Sequence, residues 1–107
     1  MKMPRKKNTE EYVVVPVTRP TFAMSVTGSF YRIDHFVEHF LDGDPVQTFF
    51  VTDKGECRVV NGLVAVFNSP LRQDEYKYLC NIAVMWKSFT RERFDDYCNK
   101  YQVEIKD

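Results

Sequence analysis

The sequence predicts an α+β fold, with an antiparallel sheet of about five strands and helices packed on one face. Three observations predict it. β-branched and aromatic runs separated by glycine turns fill the first two thirds, a helical period runs through the last third, and 107 residues hold one domain. The expected order is β-β-α-β-β-β-α-α. Residues 1–10 are expected to form a flexible basic tail, and residues 11–107 a single α+β domain.

Tyr12 to Val15 is a continuous β-branched run that Pro16 interrupts, as befits an edge strand. Phe22, Met24 and Val26 then alternate with Ala23, Ser25 and Thr27, the pattern of a half-buried strand that Gly28 ends. Over residues 29–41 the period changes. Phe30, Ile33, Val37, Phe40 and Leu41 recur at helical spacing with Phe36 beside them, predicting a helix capped by Ser29 or Asp34 and stopped by Gly43. Asp44-Pro45 turns the chain into a strand over 46–52. Lys54-Gly55 and Asn61-Gly62 then punctuate two more β-rich runs. Asn-Gly suits a type I′ turn, so a three-stranded meander is expected over 46–67, with Val60 opposite Leu63 and Cys57 opposite Val66.

Ser69-Pro70 reads as the N-cap and first residue of a helix. From Tyr76 onward Leu79, Ile82, Ala83 and Trp86 share a stripe, although a strand over 76–86 competes because Tyr78, Cys80, Ile82, Val84 and Trp86 also alternate. The last helix places Phe94, Tyr97, Cys98 and Tyr101 on one face, with Thr90 as N-cap and Phe89 stapled onto Phe94. Val103 and Ile105 are expected to add a short terminal strand.

Nine Phe, six Tyr and one Trp supply large rings to the core of a short chain. Net charge is zero, from 15 basic and 15 acidic residues, so no overall field draws the molecule to nucleic acid or to a membrane surface. Basic residues gather in 1–20, and acidic residues dominate 21–68. Three cysteines without a CxxC pair point to free thiols and a reducing, cytoplasmic setting. The N-terminal residues carry no apolar stretch of the signal-peptide kind, and no apolar run approaches bilayer-spanning length.

The string His35-Phe36-Val37-Glu38-His39 resembles HxxEH, in which a helix presents two zinc ligands and a general base, as in the inverzincin metalloproteases. On the expected helix, His35 and His39 stand one turn apart on the polar face. A metal-dependent enzyme built on His35, Glu38 and His39 therefore needs a partner or second subunit to close over them. Asp42-Gly43-Asp44 lacks the spacing of a calcium loop. No phosphate-cradling loop or nucleophile elbow is present, and no cofactor is expected.

A non-enzymatic protein-interaction module is the expectation that fits best: a small accessory or inhibitor protein that docks through the acidic residues Glu38, Asp42 and Asp44 or through an exposed aromatic. The principal alternative is nucleic-acid binding through the tail cations Lys2, Arg5, Lys6 and Lys7. The same cations also suit an acidic protein partner, and the uneven charge suits self-association into a homo-oligomer.

Overall fold

A computed structural model describes residues 9–85 and 90–106, and the backbone alone at Val84. In chain order the elements are β1 (Glu10–Ser25), β2 (Phe30–Leu41), β3 (Asp44–Thr52), β4 (Cys57–Val59), β5 (Leu63–Asn68), β6 (Leu71–Arg72), α1 (Gln73–Met85), α2 (Arg91–Lys100) and β7 (Ile105–Lys106). The first five strands form one antiparallel sheet in the order β4-β3-β2-β1-β5, and β6 pairs with β7 in parallel. The α+β class and the five-strand antiparallel sheet are therefore as the sequence predicts, with two corrections to the order: the first two expected strands are the single strand β1, which continues past Pro16, and a strand stands where the first helix was expected.

That strand is β2. Its pairing shifts register against both neighbours around Asp34, so Ile33 and Phe36 face the same side of the sheet. One bulge thereby turns a two-residue period into a three-residue step that imitates a helix. The hairpin joining β2 to β3 turns on Asp42 (φ 52°) and Gly43 (φ 84°). Positive φ at both central residues is the type I′ requirement, and Asp-Gly meets it.

The expected meander is also corrected. β3 pairs with β4, placing Phe49 beside Val59 and Val51 beside Cys57. Val60–Gly62 is a 3₁₀ turn, and neither Asn61 nor Gly62 takes positive φ. The chain then crosses to the far edge of the sheet, where β5 pairs with β1. Val60 and Leu63 do not face each other, nor do Cys57 and Val66.

The crossing is short because the sheet curls. Phe50 of β3 and Leu63 of β5 line one cavity of about 220 Å³ with Tyr31 and Arg58, although two strands, ~14 Å of flat sheet, separate β3 from β5. Inside the curl, Ala23, Ile33 and Phe50 are buried together. The opposite face carries the larger core, where Phe22, Met24, Phe30 and Phe67 meet Leu79, Cys80 and Ala83 of α1 and Phe94 and Cys98 of α2. Alternate residues of β1 thus feed both cores: Phe22 and Met24 reach the helices, and Ala23 between them faces the curl.

The 76–86 ambiguity resolves as helix through Met85. Ser69-Pro70 is a cis peptide ahead of β6, and α1 starts at Gln73, three residues beyond Pro70, the predicted first residue. The Arg72 N–H donates to Glu75 Oε1 at 3.0 Å. Thr90 caps α2 as expected, its Oγ1 accepting from the Arg93 N–H at 3.1 Å. The expected Phe89 staple, Trp86 and the tail cations Lys2, Arg5, Lys6 and Lys7 lie outside the described residues.

Candidate functional site

Beyond the helices, the first half of β1, most of β2 and the start of β3 continue as a three-stranded arm, and the described chain measures 64 × 28 × 25 Å. β5 reaches only residues 21–25 of β1, and β4 only residues 49–51 of β3. Among the described residues both edges of the arm are therefore open. The ladder's phase follows from its end, where the Asp42 N–H donates to the Thr9 carbonyl at 2.9 Å. Counting along the unbroken register from Glu10↔Leu41 to Pro16↔His35, Glu11, Val13 and Val15 direct their backbone groups to β2. Those of Glu10, Tyr12 and Val14 point outward, and Pro16, which has no N–H, falls in the same outward set.

Apolar side chains cover this arm without being buried by it. Tyr12 is 57% exposed and Val14 61%, with Val13, Val15 and Val46 exposed as well. Neither Lys nor Arg occurs in 9–18 or 35–48, whereas Glu10, Glu11, Glu38, Asp42 and Asp44 do. The arm is therefore an apolar surface whose formal charges are all negative.

The three predicted partner-binding acids lie on it, on strands and a turn in place of the expected helix exit. Glu38 stands on β2 opposite Val13 and Thr48, and Asp44 opens β3 opposite Leu41. Asp42 is only partly free, since its Oδ1 accepts from the Thr9 N–H at 3.0 Å.

The histidine pair is placed differently from expectation. On a strand, His35 and His39 are ~13 Å apart where a helix would bring them within one turn. His35 Nδ1 lies 2.8 Å from Asp34 Oδ2. His39, expected in solvent, is only 15% exposed, because Tyr12 stacks on it at 4.5 Å between ring centroids. Its Nε2 lies 3.2 Å from Glu10 Oε1 but out of hydrogen-bond alignment, and it has no hydrogen-bond partner among the described residues. Each ring thus has its own carboxylate, and the zinc-helix geometry is absent. Among the described residues no three His, Cys, Asp or Glu side chains cluster as a metal site.

A second surface, which no sequence motif marks, lies between β5 and α1. Two contiguous depressions of about 470 and 480 Å³ share Val64, Tyr78 and Ile82. Arg19 and Glu75 stand at one end, Val26 and Met85 at the other. The signal available in the sequence was the uncharged stretch Leu63–Asn68, which a sheet edge rarely leaves unguarded.

Elsewhere, the ionisable groups serve packing. The Tyr76 hydroxyl donates to Asp95 and ties α1 to α2. That hydrogen bond, and then burial, raise the Tyr76 pKa. Burial, and then the Asp95 carboxylate, push the Cys98 thiol up to about 12, which opposes formation of a nucleophilic thiolate. Arg72, hydrogen-bonded to Asp74 at 3.2 Å, holds that exposed carboxyl below its usual range. Among the described residues no helix is long and apolar enough to cross a membrane. No protein-family model, curated protein or solved structure matches this chain.

Proposed function

We propose that the chain is a non-enzymatic protein-interaction module, a small accessory or inhibitor protein that docks onto a partner protein through its arm. The observation that carries this reading is the union of exposed apolar side chains and exclusively acidic formal charge on one projecting three-stranded element. Apolar patches rimmed by polar groups mark interaction sites. The charge selects the partner's chemistry: an apolar contact ringed by lysine or arginine. The tail's root favours a protein over nucleic acid, because Thr9 is bonded to Asp42 and followed by Glu10 and Glu11, a setting that repels phosphates. The unpaired thiols of Cys57, Cys80 and Cys98 support a reducing, cytoplasmic setting.

The test is affinity capture from host lysate after nuclease treatment, with the wild-type chain and a Tyr12→Asp/Val14→Asp variant as baits. One stoichiometric protein partner is expected with the wild type, and at least ~10-fold less of it with the variant. A Glu11→Lys/Asp44→Lys bait is expected to lose the salt sensitivity of that binding. A ligand set that disappears with nuclease, or a partner indifferent to Tyr12 and Val14, overturns the reading.

A further inference from the structure

We infer that the groove between β5 and α1 accepts one extended strand from a protein partner, an apolar segment with a carboxylate at the end that meets Arg19. This rests on the interaction-module reading and adds a second surface with its own ligand chemistry.

The sheet's edges differ in how they are protected. β4 is three residues long and carries Arg58. The free half of β1 presents Pro16 and Glu10, both of which discourage strand addition. β5 is six residues, LVAVFN, with neither charge nor proline. Its ladder with β1 has a fixed phase, because the Ser69 N–H donates to the Pro20 carbonyl at 2.9 Å and Phe22↔Phe67 follows in register. Phe67 and Ala65 therefore bond inward, while Val66 and Asn68 direct their N–H and C=O groups away from β1. Among the described residues β5 pairs with no strand but β1, so these groups face an open groove. An added strand satisfies them, and it finds apolar seats in Val64, Tyr78, Ile82 and Met85. Main-chain bonds supply affinity in this mode of recognition, and alternate side chains supply specificity.

Charge fixes the remaining chemistry. At the Asn68 end, the groove meets Arg19, Asp74 and Glu75. Asp74 pairs with the Arg72 guanidinium, and Glu75 accepts from the Arg72 N–H. Arg19 has no side-chain partner among the described residues, so the vacant requirement is for an anion. A second copy does not meet it. Pairing β5 with itself about Val66 sets Asn68 opposite Val64, and brings the partner's apolar Leu63 end, without a carboxylate, beside Arg19. Residues 1–8 do not meet it either. They carry four cations and no acid, and they join β1 at the end remote from β5.

The test uses the full chain and a fluorescein-labelled octapeptide of alternating valine and threonine ending in glutamate, with a lysine-ended twin as control. Fluorescence anisotropy is expected to show saturable binding of the glutamate peptide, at least ~10-fold weaker for the lysine peptide. Arg19→Glu, an exposed substitution, is expected to reverse that preference, and Val66→Pro, which deletes one outward N–H on an edge strand, to abolish binding of both. No saturable binding, or binding blind to both substitutions, overturns the inference. So does concentration-dependent dimerisation that Val66→Pro removes, since the edge then serves a second copy. Should Val66→Pro fail to fold, the charge exchange at Arg19 still decides. Peptide binding is expected to survive Tyr12→Asp/Val14→Asp, so failure of the arm and failure of the groove give different results.

Discussion

Cys98 and Tyr76 each sit where ionisation is opposed, and together they make stability depend on alkaline pH. In the unfolded chain a thiol loses its proton near ~8.5 and a phenol near ~10. In the folded chain burial holds the Cys98 thiol protonated up to about 12, and the hydrogen bond to Asp95 holds the Tyr76 phenol protonated beyond its usual range. Above ~8.5 the unfolded state therefore binds fewer protons than the folded one, and stability falls as pH rises. The slope is at most ~1.4 kcal/mol per pH unit for each group. Below ~8 both groups are protonated in both states and contribute no pH dependence. Urea midpoints measured between pH 7 and pH 11 are expected to decline above about 9, less steeply in Tyr76→Phe and in Cys98→Ala. At pH 7 the loss of its bond to a carboxylate is expected to cost Tyr76→Phe ~1–3 kcal/mol. An alkaline decline of unchanged slope in both variants would contradict this assignment.

Among the elements, β1 permits a test residue by residue, because its hydrogen-bond phase is fixed at both ends. The amides of Glu11, Val13 and Val15 bond to β2, while those of Tyr12 and Val14 point to solvent. Native-state hydrogen exchange is expected to alternate along this segment, with Tyr12 and Val14 fast and their odd-numbered neighbours slow; uniform protection would place another strand on this edge. Tyr12–Val15 was legible as an edge strand because a β-branched run ending in proline has few other uses. β2 was not, because its bulge sets Ile33 and Phe36 on one face and because both faces of the arm carry apolar residues, which erases clean alternation. Two dipeptides are misleading in the same way. Asn61-Gly62 looked like the hairpin turn and lacks positive φ, whereas Asp42-Gly43, read as a helix stop, has it at both positions. The candidate site suffered accordingly: Glu38, Asp42 and Asp44 were found as residues, but their apolar setting among Tyr12, Val14 and Val46 was hidden by the helical reading.

For the molecule as a whole, the class was readable from local patterns, and the pairing of β1 with β5 was not. That ladder joins residues 38 to 47 positions apart, from Ser25↔Leu63 to Thr21↔Asn68, and no local signal encodes which edge a strand will seek. The long-range pairing has a consequence for cooperativity. Phe50 is fully buried inside the curl, and Phe94 is fully buried under the helices. The two cores lie on opposite faces of one sheet, and β1 alternates between them at Phe22, Ala23 and Met24. Neither core can lose its sheet residues without displacing the strand that serves the other. Phe50→Ala and Phe94→Ala are each expected to cost ~3–5 kcal/mol, and each loss is expected to reach both cores. The measurement follows urea unfolding by amide resonances of β3 and of α2 in the wild type and both variants. Coincident midpoints are expected in every case, displaced together by either substitution. If Phe50→Ala lowers the β3 midpoint and leaves that of α2 in place, the two cores unfold separately, and β1 does not couple them.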